Sequence, residues 1–184
     1  MDEAIFKKLL KFTVPFADTI FRSVSVRHAR LSDITSGEVS FRSGGRWNPP
    51  GIRANYGSLT PETAMAETLA SARYYGIPVH TTMPRVFVAM HAKLSRTLDL
   101  CDPKLQKIAR FSSHTLVKSD WRAEVDAGAM PITQTIGKLA AANGLEAMLV
   151  PSAASSGQMN LVTFVDNLLS GSQLQLLSPE ELAP

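Results

Sequence analysis

Residues 44–51 of this chain can be neither helix nor sheet. Gly44-Gly45-Arg46-Trp47-Asn48-Pro49-Pro50-Gly51 holds three glycines, two prolines and an asparagine in eight positions. Proline fixes φ and removes a backbone donor, while glycine allows turns that other residues resist, so residues 43–55 read as an irregular loop. Regular structure resumes at once beyond it. Residues 56–59 are a short strand, and Thr60-Pro61-Glu62 opens a helix. Thr60 suits the cap, Pro61 the first helical position, and Glu62 complements the N-terminal dipole. That helix is expected to run to Tyr75, where Gly76 and Pro78 stop it.

Elsewhere strands and helices are mixed. Residues 21–26 alternate Phe, Val and Val with Arg, Ser and Ser, a strand that puts Arg22 on the face opposite Phe21. Strands are expected at 86–92 and 97–100, helical pattern at 115–123, and a helix at 132–142 ended by Asn143-Gly144. Residues 147–150 and 161–165 are short apolar runs that read as buried strands, joined by the loop 151–160. Without a steady βαβ alternation the expected class is α+β rather than a doubly wound sheet. No GxGxxG follows a strand, so a Rossmann site is not supported. The expected layout is a helical N-terminal extension over 1–20, one compact domain over 21–168, and a polar tail over 169–184 that includes Ser178-Pro179-Glu180-Glu181.

Composition narrows the function classes. A chain of 184 residues with 45% hydrophobic and 19% charged residues can build one real core. No apolar run approaches the roughly 20 residues that span a bilayer. Lys7, Lys8 and Lys11 break up the first twenty residues, which read as an amphipathic helix over 3–12 rather than a signal peptide. The lone Cys101 cannot form an internal disulfide, which fits a reducing cytoplasm. Together with His28, His80, His91 and His114, which share no motif, it offers no zinc spacing, so no metal is expected. The formal charge is +3. The densest basic run, Arg22, Arg27 and Arg30, is too sparse for a nucleic-acid stripe, so no direct nucleic-acid binding is expected.

The chemistry-bearing residues sit in and after the loop. Tyr56 lies ten residues past Arg46, and Glu67 eleven past Tyr56. Free N–H groups of Gly44 and Gly45 could meet one anionic group together with the Arg46 guanidinium. A tyrosine ring offers a stacking surface, and a glutamate a fixed negative charge. Such a set suits a ligand with phosphate, aromatic and sugar parts, and a dinucleotide is one. Other readings stay open at this level. Arg46 could brace loop carbonyls, Arg22 could form a structural salt bridge, and Tyr56 could be a buried tyrosine with a satisfied hydroxyl. Trp47 reads as packing. On a wheel of about 100° per residue Glu67 lies at least about 120° from Glu62 and Arg73, beside Thr63, Ala70 and Tyr74. It is therefore either on a second exposed face or a carboxylate with a partner. Glu62 and Glu67 are five apart and cannot face each other as a glycosidase pair. Ser152, Ser155 and Ser156 lie in a loop leaving a buried strand, and no His–Asp pairing supports a hydrolase triad.

These residues resemble the RES domain, a family named for its Arg, Glu and Ser positions. The likeness runs over about 21–165. Its pieces occur in order: Arg22, Ser36-Gly37-Glu38, Gly44-Gly45-Arg46-Trp47-Asn48, Tyr56 and Ala66-Glu67-Thr68. Then come Trp121, Gln134 with Gly137, Val150-Pro151-Ser152-Ala153 and Asn160-Leu161-Val162. The resemblance implies an ADP-ribosyltransferase-like mixed β core with flanking helices. It implies a toxin of a type II toxin–antitoxin pair, neutralised by an Xre-like antitoxin, that degrades NAD+ by phosphorolysis or hydrolysis. NAD+ would be the substrate and inorganic phosphate a candidate co-substrate. A protein ADP-ribosyltransferase and a non-catalytic NAD-binding module are the rival readings.

The resemblance also implies roles for the residues. Glu67, Arg46 and Tyr56 would be catalytic, with Glu67 stabilising charge on the ribose. Arg22, Gly45, Arg46, Tyr56 and Ser152 would bind the dinucleotide: the arginines on phosphate, the tyrosine on nicotinamide, the serine on the amide or ribose. One departure is Ala154, where many members carry a basic residue that bears on phosphate binding or co-substrate preference. The first twenty residues have no counterpart placed in the family; they either pack on the domain or form an oligomer contact.

Overall fold

Among the described residues, 1–26 and 30–177, six strands form one mixed sheet in the computed structural model. They are β1 (Val14–Ser25), β2 (Ala54–Ser58), β3 (Arg85–Asp99), β4 (Ala147–Pro151), β5 (Met159–Phe164) and β6 (Gln173–Leu176). β1 and β3 pair antiparallel along nearly their whole length, from Val14 opposite Thr97 to Ser25 opposite Arg85. β3 continues into a parallel pair with β4; β4 pairs antiparallel with β5, and β5 with β2. β2 meets β1 again at Phe21 opposite Ser58. The strands therefore close into a ring, β1–β2–β5–β4–β3, which leaves little free edge. β6 adds to β3 at residues 90–93.

The helices are α1 (Glu3–Leu9), α2 (Leu31–Ser36), α3 (Glu38–Ser43), α4 (Pro61–Tyr74), α5 (Pro103–Ala109), α6 (Ser113–Lys118), α7 (Trp121–Asp126) and α8 (Ile132–Ala142). One apolar cluster joins Phe6 and Leu9 of α1 to Leu98, Ile136, Val162 and Phe164. A second gathers Ile20, Val24, Ile34, Met90, Leu94 and Leu161. Leu161 and Val162 are neighbours on β5 yet fall in different clusters, because successive strand side chains point to opposite faces. Both faces of β5 are thus buried, which explains why apolar residues at 161–165 do not alternate with charged ones.

Several expectations hold. α4 starts where Thr60 caps it, its hydroxyl accepting from the Thr63 amide at 3.1 Å. α8 covers 132–142 as read, and the class is α+β.

Others need correction. The helix expected over 3–12 is present as α1 and the 3-10 turn Leu10–Phe12, but the expected division at 20/21 falls inside β1, so residues 14–20 belong to the sheet. Phe6 and Leu9 are fully buried in the first cluster, worth roughly 1.5–3 kcal/mol each. Pro15 hid the strand; it sits at the register irregularity between Val14 and Phe16, where a strand can do without a donor. The strands expected at 86–92 and 97–100 are one, because Leu94 points inward between exposed Lys93 and Ser95. The pattern at 115–123 is two helices, broken where Asp120 caps α7 by accepting from the Ala123 amide. The expected tail contains β6. Arg27, His28 and residues 178–181 lie outside the described residues.

Glu146 ties three parts of this frame together from a fully buried position. Its Oε2 accepts from the Ser95 and Arg96 amides at 2.6 and 2.8 Å, and its Oε1 from the Leu169 amide at 2.9 Å. Burial alone would raise its pKa. The bonds from the Ser172 hydroxyl and the three amides outweigh that and hold it below the ordinary carboxylate value. A depressed folded pKa contributes stability that is present above the unfolded value of about 4.3 and lost as pH falls through the folded one. Glu146→Gln is expected to destabilise the protein at neutral pH by at least about 1–3 kcal/mol, since an amide cannot accept all these bonds. The gap to wild type should narrow below about pH 4.3. Denaturant midpoints of both proteins across that range check this; a gap independent of pH would contradict it.

Candidate active site

The glycine-rich loop is seated by side chains from β2 and α8 and by its own Asn48. The Tyr56 hydroxyl on β2 donates to Asn48 Oδ1 at 2.6 Å and accepts from the Trp47 amide at 3.0 Å. Asn48 is fully buried and its Nδ2 donates to the carbonyls of Ser40 and Ile52. Gln134 of α8 donates to the Gly45 carbonyl at 2.9 Å. Two glycines make this fit possible. A Cβ on Gly45 would come within 2.6 Å of the Tyr56 hydroxyl, and one on Gly137 would overlap the Trp47 carbonyl. Trp47 itself is 2% exposed and packs in the first cluster, as its sequence reading held.

Glu67 projects from α4 toward the sheet. Its Oε1 accepts from Ser152 Oγ and from Asn160 Nδ2, both at 2.7 Å. Asn160 is oriented in turn by Ser58, whose hydroxyl donates to its Oδ1 at 2.7 Å. Among the described residues Glu67 Oε2 carries no hydrogen bond. Of the two readings of the wheel, the carboxylate with a partner is the one the fold adopts.

Glu67 lines a cavity of about 790 Å³, within the range of small-molecule sites. Four guanidiniums line the same cavity, Arg22, Arg46, Arg85 and Arg122, against this single carboxylate. None of the four has an ion-pair partner among the described residues, where the pairs involve Lys7, Arg42 and Arg53. Burial lowers the pKa of Arg22, Arg46 and Arg85. At Arg46 the Glu67 carboxylate opposes this and Arg122 adds to it, so those charges sense one another. Arginine nonetheless stays protonated. Burial also raises the Tyr56 phenol, which is a neutral hydrogen-bonding group here.

The residues singled out in the sequence converge, with changed duties. Arg46, Tyr56, Glu67, Arg22 and Gly45 all border the cavity. The Gly44 and Gly45 amides are not free: they donate to the carbonyls of Ser40 and Asn48, each at 2.8 Å. The donors these two glycines would have offered a ligand are therefore committed within the fold. Arg46 does brace carbonyls, through Nη1 to Leu116 and Ser119, each at 3.1 Å. Its Nε and Nη2 carry no bond among the described residues. Arg22 donates to the Ile34 carbonyl at 2.9 Å rather than to a carboxylate. Ser152 is 5% exposed and does not line the cavity; it stands behind Glu67 and holds it. Sequence reasoning missed the parts of Asn160, Asn48, Arg85 and Arg122. The buried asparagine in the loop was the one visible signal, since a polar side chain among Gly and Pro turns often bonds the backbone.

The model of the family described as RES domain matches residues 19–176. The NAD(+) phosphorylase MbcT of Mycobacterium bovis and that of Mycobacterium tuberculosis are each 24% identical to this chain over 192 residues, covering all of it and 93% of the relative. A chain in the crystal structure of the M. tuberculosis MbcT–MbcA toxin–antitoxin complex superposes with a TM-score of 0.74 at 22% identity, covering 96% of this chain and 91% of that one.

The seating of the loop is testable without a ligand. Tyr56→Phe leaves Asn48 Oδ1 without its donor and the Trp47 amide without its acceptor. A loss of about 1–3 kcal/mol is expected from such a buried pair. The denaturant midpoint reads it, and an unchanged midpoint would mean that the hydroxyl does not hold the loop.

Proposed function

Because the chain belongs to the RES domain family, we propose that it is an NAD+-degrading enzyme that breaks the nicotinamide–ribose bond and acts as the toxin of a toxin–antitoxin pair. The similarity to proteins named NAD(+) phosphorylase, and to a chain in a toxin–antitoxin complex, supports this reading. The observation that carries it is the Glu67 carboxylate, which lines a guanidinium-rich cavity with one oxygen pinned by Ser152 and Asn160 and the other carrying no bond among the described residues.

As the bond between ribose C1 and the pyridinium nitrogen breaks, its electron pair passes to the ring. Nicotinamide leaves neutral and needs no general acid. Positive charge builds on the ribose, and Glu67 stabilises it from a fixed position. Arg46 and Arg22 clamp the diphosphate, and the Tyr56 ring orients nicotinamide. Ser152 acts as a positioning residue through Glu67. An oxygen of inorganic phosphate then bonds to C1 and gives ADP-ribose phosphorylated at that carbon; water in the same place gives ADP-ribose and releases a proton to solvent. Phosphate is the proposed co-substrate, since the cavity's positive excess suits a second anion. An antitoxin of the Xre-like type is the proposed partner, and a cytoplasmic location fits the single cysteine.

Glu67→Gln should keep the fold, because an amide oxygen can accept both bonds that Oε1 accepts. It is expected to lower kcat/KM for NAD+ by at least about 100-fold, or about 2.7 kcal/mol, the scale of a lost electrostatic group. Nicotinamide release and Tm are measured together; near-normal turnover at unchanged Tm refutes the role. Mass spectrometry of NAD+ products with and without inorganic phosphate then separates phosphorolysis from hydrolysis, and mass gained by the protein would indicate ADP-ribosyl transfer instead.

A further inference from the structure

We propose that Arg122 is a further substrate-binding residue, which takes a phosphate-type anion at the α7 wall of the cavity. The inference deepens the function proposed above and rests on it for the identity of the substrate.

Arg122 sits on α7, just past the carbonyls that Arg46 braces. Leu116 and Ser119 receive the two bonds from Arg46 Nη1, and Arg122 follows three residues after Ser119. The loop is therefore fastened to the end of α6, just before α7, with both guanidiniums on the cavity. Arg122 is held in one pose. Its guanidinium carbon lies 4.5 Å from the Trp121 ring centroid, 4.7 Å from that of Tyr74 and 5.2 Å from that of Tyr75. Its Nε donates to the Tyr75 hydroxyl at 3.0 Å, and Nη2 reaches Ser71 Oγ at 3.5 Å. Tyr74 is anchored in turn by donating to Asp120 Oδ1 at 3.1 Å.

Rings and hydroxyls orient this cation without neutralising it. Among the described residues no carboxylate pairs with it, although Asp120, Glu124 and Asp126 are close in sequence. Asp120 instead serves Tyr74 and caps α7, and Glu124 accepts from the Ser119 hydroxyl. Nη1 carries no hydrogen bond among the described residues. An oriented, uncompensated guanidinium beside a second one is a fork for an oxyanion. An anion between them would relieve their mutual repulsion. Two sources share that chemistry, the diphosphate of the dinucleotide and free phosphate.

The test is direct binding, which needs no turnover. Wild type, Arg122→Gln, Arg122→Lys and the control Arg73→Gln are titrated by calorimetry with inorganic phosphate and, separately, with ADP-ribose. Arg73 is exposed on α4, does not line the cavity, and removes the same charge. Arg122→Gln is expected to weaken at least one of the two at least tenfold, with Arg122→Lys recovering part of the loss and Arg73→Gln within twofold of wild type. Loss for phosphate alone assigns Arg122 to the free anion; loss for ADP-ribose alone assigns it to the diphosphate; loss for both assigns one shared position. Binding of both within twofold of wild type in Arg122→Gln overturns the proposal, as does a wild type that binds neither, or an equal loss in Arg73→Gln. If Arg122→Gln does not fold, Arg122→Lys decides, with at least a threefold loss for one ligand expected and none overturning it. Failure of wild type to release nicotinamide from NAD+ would remove the proposed reaction and leave this readout intact.

Discussion

A single oxygen of Glu67 accepts two hydrogen bonds from the sheet, one from the end of β4 and one from β5. This contact joins α4 to the strands where the cavity opens. Both donors are neutral and the acceptor is ionised, so the bonds are of the stronger, charge-assisted kind. They also decide direction. A glutamate has three rotatable bonds and would otherwise sample many poses; here one oxygen is committed and the other carries no bond among the described residues. Ser58 repeats the device one step further out by fixing the amide of Asn160. The chain of contacts runs from β2 through β5 to α4, so the carboxylate inherits the rigidity of the ring of strands.

The charge of the cavity is the counterpart of that order. Four arginines and one glutamate share it, and no arginine there is neutralised by an acid among the described residues. Buried like charges destabilise a fold unless something compensates. The compensation is partial and made by neutral groups: carbonyls of Leu116 and Ser119 for Arg46, the carbonyl of Ile34 for Arg22, Ser23 for Arg85, rings for Arg122. Such partners hold a guanidinium in place yet leave its charge available. An acid in their position would be better for stability and worse for an anionic ligand.

What could be read from the chain alone follows from which contacts are local. The loop announced itself by Gly and Pro, α4 by its cap and stop, and Glu67 by its angle on the wheel, because each depends on residues within one turn or loop. Ser152 could be marked but not given its task, since its hydroxyl meets Glu67 only through the fold, 85 residues away in sequence. Asn160 needed the register of β5 against β2, which puts it opposite Ser58. α2, α3 and α5 have six or seven residues each, too few for periodicity to stand out. The first half of β1 was hidden by Pro15. The use of the Gly44 and Gly45 amides was invisible too, because the loop turns back on itself through the bridge between Gly45 and Asn48.

The committed amides change how the cavity would receive the anion proposed above. A loop with free amides would wrap a phosphate in backbone donors and could order around it on binding. Here the amides are already used, and the loop is rigid before any ligand arrives. In the proposed function, recognition rests on guanidiniums, and that of Arg46 is placed by bonds that also seat the loop. Arg46 serves both ends at once: Nη1 fastens the loop to the segment before α7, which fixes the plane of the fork, and Nε and Nη2 are presented in that plane. A lysine could not do both, since one ammonium on a flexible stem has no second edge to offer. The ordering cost of the site is therefore met during folding rather than on binding, and the geometry around the reacting sugar is prepared in advance.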